Sequence, residues 1–209
     1  MDWESAMTSF TGPGGHPVEI FDQFAGFGIL PKNWKPDYDR QAEFVVATAK
    51  DIDDRFGLLL QQPAYVKAFR LYPDRYAENL ADPKTRGNVR GMDPKLPPHL
   101  AALAHSLGLR LIVHIYSAAD FRNAVKGGAD EIAHLPGTDY EAGMKVEDFQ
   151  ITTADAAAAA KQGIAVTTTV SWLADLQTDD AQAYKIARDQ IVVPNLELLR
   201  NAGRANLDW

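Results

Sequence analysis

The chain has 209 residues, 46% of them hydrophobic and 23% charged, the composition of a globular protein with one substantial core and one domain, or two. Its net charge is −7 and its basic residues gather in no stripe, which argues against nucleic acid and against an anionic membrane surface as partners. Cysteine is absent, so disulfides, thiolate metal ligands and a cysteine nucleophile are excluded, and any metal must be held by histidine, carboxylate or a lysine-derived oxygen.

The first residues, MDWESAMTSF, lack a basic n-region and an apolar h-region, and no apolar run reaches the ~18 residues of a spanning helix; a cytoplasmic protein is the expectation. Residues 1–40 read as irregular, because TGPGGHP (Thr11–Pro17) holds too much Gly and Pro for a regular element. From Glu43 the pattern changes. EFVVAT reads as a buried strand, AKDIDDRFGLLL as a charged helical segment, and AYVKAFRL (Ala64–Leu71) as a second strand. A long Gly/Pro-punctuated loop runs from Tyr72 to about Asp93, and loops of that length inside a domain are often functional.

Pro94 marks a helix start, and LPPHLAALAHSLG is an amphipathic helix closed by Gly108. Strand LRLIVHI, helix SAADFRNAVKGG and the short strand DEIAHL follow. A second loop, Pro136–Gln150, precedes helix TTADAAAAAKQG, capped by Thr152 or Thr153; strand IAVTTTV and a last helix from about Asp179 to Gly203 complete the series. Strands alternating with helices predict a parallel sheet of about five βα units in sequential order, with short turns before the strands and longer, site-building loops after them.

Three strands carry side chains with chemistry. Lys67 lies inside an otherwise apolar strand, where it either snorkels to water or is desolvated until its neutral amine reacts. His114 and His134 each end an apolar run, and either alone could be a hydrogen-bonded rim residue. Their matching placement favours a shared cation, since neighbouring parallel strands lie ~4.8 Å apart and imidazoles at equivalent ends can reach one ion. Around them, Tyr116 and Ser117 are placed to face the site, Ser117 equally well as the cap of the next helix. Arg70, Tyr72 and Arg90 could bind an anionic substrate group or be solvated. His16, in its Gly-rich loop, could reach a substrate or be a turn residue. His99 and His105 read as helix-start and helix-surface residues.

At these residues a resemblance enters. LRLIVHIYSAADFRNAVKGGADEIAHLPG, the earlier AYVKAF, the GMDPKLPPHLAALAHSLG helix and the TGPGGHP segment resemble the amidohydrolase superfamily, nearest its imidazolonepropionase-like and prolidase-like branch. The resemblance spans most of the chain, from about Thr11 to Gly203. It implies an α/β fold, a TIM (β/α)8-type barrel present in part, and a metal-dependent hydrolase of amide, dipeptide or lactone bonds acting through metal-bound hydroxide. It also implies one or two divalent ions, Zn2+ first, with Lys67 as a carbamylated bridging ligand on the fourth strand and His114 and His134 as ligands on the fifth and sixth.

Two family features are missing. No His-x-His pair occurs anywhere in the chain, and the only late candidate for the family's strand-eight aspartate, Asp208 in NAGRANLDW, stands in a stretch too short and polar to read as a barrel strand. Residues 1–209 are therefore expected to form a single amidohydrolase-like (β/α) domain lacking the first strands and the eighth, with little hydrolysis on its own. Its expected partners are a small-molecule substrate and a second copy or a complementary barrel segment, which would cover the exposed sheet edges. The alternatives are a non-catalytic assembly or binding module and a self-contained doubly wound five-stranded sheet.

Overall fold

Three helices start in the same way. Thr48, Ser117 and Thr152 each accept a hydrogen bond from the backbone N–H three residues on, and the aspartate there returns a carboxylate oxygen to the cap's own N–H. This reciprocal box satisfies amide groups that a helix start leaves open. It places the starts of three helices at Ala49, Ala118 and Thr153, and it assigns Ser117 to the cap.

The structure, a computed structural model, describes residues 8–30, 43–58, 65–69, 91–171, 173–174, 177, 180–203 and 207–208. Within it the chain divides into two compact units, Met1–Val113 and His114–Trp209.

The first unit runs β1 (Ser9–Thr11), α1 (Val18–Gly26), β2 (Glu43–Val45), α2 (Ala49–Phe56), β3 (Tyr65–Phe69), α3 (Pro97–Ser106) and β4, which starts at Arg110 and ends at His114. The strands predicted around EFVVAT, AYVKAFRL and LRLIVHI are all formed. β1 was not expected. It pairs in parallel with both β2 and β3, Ser9 standing in register with Glu43 on one side and Lys67 on the other. The order is therefore β2-β1-β3-β4, with β1 set between two later strands.

Three residues followed by Gly and Pro carry no readable alternation, because both faces of β1 are covered: Phe10 and Thr11 are fully buried and Ser9 nearly so. The Phe10 ring lies 5.1 Å from that of Phe44 and 6.3 Å from that of Phe56. The Ser9 hydroxyl donates to the Glu43 carboxylate, so this polar pair is satisfied inside the unit. Gly12, directly after β1, serves a close approach rather than a loose loop. A Cβ on Gly12 would stand 2.1 Å from the Gly91 carbonyl oxygen.

The capping box of α2 has a consequence for acid stability. Backbone N–H of Ala47, at 3.0 Å, and the Thr48 hydroxyl and N–H hold the Asp51 carboxyl below its ordinary range, helped by Arg55. A carboxylate with a depressed folded-state pKa adds stability that is present above its unfolded value, ~3.9, and is lost as pH falls through the lower folded value. The Asp51→Asn variant is thus expected to be less stable than the parent at neutral pH and equal to it in strong acid. Urea unfolding at several pH values reads this, and a difference that survives at low pH would assign the effect to shape rather than charge.

The second unit contains α4 (Ala118–Lys126), β5 (Glu131–Ala133), a 3₁₀ turn (Val146–Phe149), α5 (Thr153–Gln162), β6 (Ala165–Thr167), α6 (Ala181–Ile186), a π-helical stretch (Ala187–Val192), α7 (Val193–Asn201) and β7 (Leu207–Asp208). β6 pairs in parallel with β5 on one side and β7 on the other. The last helix of the sequence reading is thus three pieces joined through a wider turn. β7 is a correction: the stretch judged too short and polar for a strand pairs with β6, Asp208 in register with Thr167. A two-residue strand has no pattern of its own and exists through the ladder it joins.

The core of this unit is aromatic and aliphatic. Phe121, Ile132, Phe149 and Ile191 are fully buried, and Ala156 and Ala159 give α5 a small-residue face that is buried. Among the described residues no helix is long and apolar enough to cross a membrane.

Candidate functional site

β4 and β5 each run out into a histidine. Just beyond β4 the Ile115 N–H donates to the Ala133 carbonyl at 3.2 Å, and just beyond β5 the His134 N–H donates to the Thr167 carbonyl at 2.8 Å. These ladder bonds fix the backbone on which both rings stand. His134 then leaves the extended conformation, with φ of 75°. For a residue with a Cβ the left-handed region costs roughly 1–3 kcal/mol and persists only where the surroundings hold it.

The two rings meet edge to face, with centroids 4.7 Å apart. His114 Nδ1 and His134 Nε2 are 2.8 Å from each other, a hydrogen-bond distance, and both side chains are half-buried. On the far side of its ring, His134 Nδ1 lies 3.0 Å from Thr169 Oγ1. Thr169 follows β6 and is also left-handed, with φ of 49°, an unusual state for a β-branched residue. The sequence reading did not single it out, since Thr167–Thr169 looks like ordinary strand.

The remaining candidates fall as follows. Lys67 lies in β3 of the first unit. His16, in the same unit, offers its carbonyl to the Thr11 hydroxyl at 2.6 Å, which ties the turn back to β1. Tyr116 is buried, its hydroxyl donating to the Asp139 carbonyl at 3.1 Å and its ring 5.4 Å from that of Phe149, so it secures the loop after β5. Arg70 and Tyr72 lie outside the described residues. His99 Nε2 donates to the Asp53 carboxylate at 2.7 Å, a helix-to-helix contact of the first unit.

Two imidazole nitrogens converging from neighbouring segments suit a borderline cation such as Zn2+, for which neutral histidine is a favoured ligand. The described residues supply that pair and, among them, no group of three His, Cys, Asp or Glu side chains gathers to hold a metal. The pair therefore fits as part of a donor set.

Comparison with known proteins bears on the fold. No family model matches the chain, and no curated protein matches it. Solved structures do. The ochratoxinase of A. niger superposes with a TM-score of 0.62 at 13% identity, covering 97% of this chain and 44% of its own. A prolidase complexed with N-methylphosphonate-L-proline gives 0.56 at 15%, covering 96% and 46%. A structure described as an amidohydrolase gives 0.52 at 18%, covering 77% and 37%. The chain shares its fold with a part of each of these structures. It spans less than half the length of each of these three structures, and its α/β architecture of parallel strands and intervening helices corresponds to a part of their (β/α) barrels.

Proposed function

We propose that this chain is a hydrolase domain of amidohydrolase type that takes up a divalent cation, Zn2+ first, through His114 Nδ1 and His134 Nε2, and that its substrates are amides, dipeptides or lactones. One observation carries the reading: the 2.8 Å approach of two ring nitrogens at the ends of β4 and β5, on a fold shared with amidohydrolase and prolidase structures. When bound, such a cation lowers the pKa of water to ~7 and polarises a carbonyl, so that hydrolysis needs no serine or cysteine nucleophile.

The chain's own contribution is orientation. Ladder bonds hold the two backbones, and Thr169 and His114 hold the His134 ring from both sides. Two imidazoles are a weak hold for a catalytic ion, which ordinarily has three protein ligands, and the sequence has no His-x-His to add to them. The expected result is cation uptake with hydrolysis near background for the 209-residue chain.

The test is a Co2+ or Zn2+ titration of the purified chain and its His114→Ala variant, followed by assay on an acyl-amino acid, an Xaa-Pro dipeptide and a lactone. No uptake by the parent chain sinks the metal reading. Chelator-sensitive turnover abolished by His114→Ala overturns the expectation of low activity. The carbamate that the resemblance implies at Lys67 is tested separately, by labelling with 13C-bicarbonate, as a signal lost in Lys67→Met.

A further inference from the structure

The proton arrangement around His134 follows from counting donors. A threonine hydroxyl has one proton. That of Thr169 is given to the Thr168 carbonyl, 2.9 Å away. With its proton on that carbonyl, Thr169 Oγ1 accepts from His134 Nδ1, 3.0 Å away, an arrangement in which Nδ1 carries the hydrogen. In a neutral imidazole the other nitrogen is bare. In that arrangement His134 Nε2 presents a lone pair toward His114, and His114 Nδ1 carries the proton in the 2.8 Å contact.

We propose that Thr169 is a positioning residue: its hydroxyl locks His134 in the Nδ1–H tautomer and so turns the Nε2 lone pair toward His114, where a cation would be received. The left-handed backbone at Thr169 and at His134 supports this role. Two unfavourable conformations, at the ends of β5 and β6, bring one hydroxyl to one ring nitrogen, and strain of this kind collects at functional sites. A threonine kept only for strand packing would sit in the extended region, where β-branched residues are at ease.

The inference rests on the metal reading only for its purpose. The tautomer itself is a property of the metal-free chain, and so the two can fail separately. Cation uptake on His114 Nδ1 would move that ring's proton to Nε2, while His134 would keep the tautomer it already has.

Long-range 1H–15N spectra of the metal-free chain with 15N-labelled histidine read the tautomer, His134 being assigned from the loss of its signals in His134→Gln. The parent chain is expected to show His134 protonated on Nδ1. Thr169→Gly removes the hydroxyl and relieves the left-handed backbone, so it is expected to fold and to lose this preference, with Co2+ binding weakened about 10- to 100-fold, the range for partners behind a metal-ligating histidine. Thr169→Ser is expected to restore both. A parent chain with His134 protonated on Nε2, or a Thr169→Gly variant that keeps the Nδ1–H tautomer, overturns the assignment. A parent chain that shows the expected tautomer and binds no Co2+ overturns the metal reading and leaves Thr169 as the residue that orients the histidine pair.

Discussion

Replacing Asn195 with alanine is expected to destabilise the second unit by about 3 kcal/mol or more, an effect beyond most single substitutions. Asn195 is 1% exposed and spends its whole amide on backbone. Its Oδ1 accepts from the Ile151 N–H at 3.0 Å, and its Nδ2 donates to the carbonyls of Phe149 at 2.9 Å and Pro136 at 3.3 Å. These three groups lie at the two ends of the Pro136–Gln150 loop, so one side chain on α7 staples both ends of it. Alanine would leave three buried backbone groups without that partner, each at a desolvation cost of roughly 1–3 kcal/mol.

The same seam explains Gly137. Its φ is +97°, and a Cβ there would stand 2.4 Å from Ile191 Cγ2 on the π-helical stretch. Urea unfolding together with amide exchange of Ile151 checks the prediction. Exchange at Ile151 as slow in the variant as in the parent would show that the staple is not what closes this loop. Asn195→Asp is a useful companion, because it keeps the acceptor for Ile151 and loses both donors.

The contrast between Asn195 and the capping residues shows what a sequence makes legible. Ser117 and Asp120, or Thr152 and Asp155, stand three apart beside an alanine-rich run, and that local pattern marks a helix start whatever surrounds it. The apolar runs ending at His114 and His134 are likewise local, so β4, β5 and the histidine pair could be placed in advance. Asn195 reads as one polar residue in a helix; its three partners lie 44 to 59 positions away. β1 and β7 were hidden for a related reason, each being two or three residues long and defined by pairing with strands elsewhere in the chain. Thr169 was hidden by its conformation. Three threonines in a row look extended, and nothing in their identity announces that the third turns left-handed to meet a histidine.

Replacing His134 is expected to have the largest effect on cation binding, at least about 100-fold, above the range for residues that only support a ligand. His134 is the middle of the chain Thr169–His134–His114, and its loss removes one donor and leaves the other without its neighbour. Alanine at φ 75° would also be strained, so a folding defect could imitate a binding defect. His134→Asn separates them, because asparagine tolerates the left-handed region and offers no imidazole. It is expected to unfold at nearly the same urea concentration as the parent while binding Co2+ as poorly as His134→Ala. If it binds as tightly as the parent, His134 is not a ligand and the pair is a structural hydrogen bond. A double substitution completes the argument: once His134 is gone, Thr169→Gly should weaken binding no further, since a residue that acts by orienting a ring has nothing left to orient.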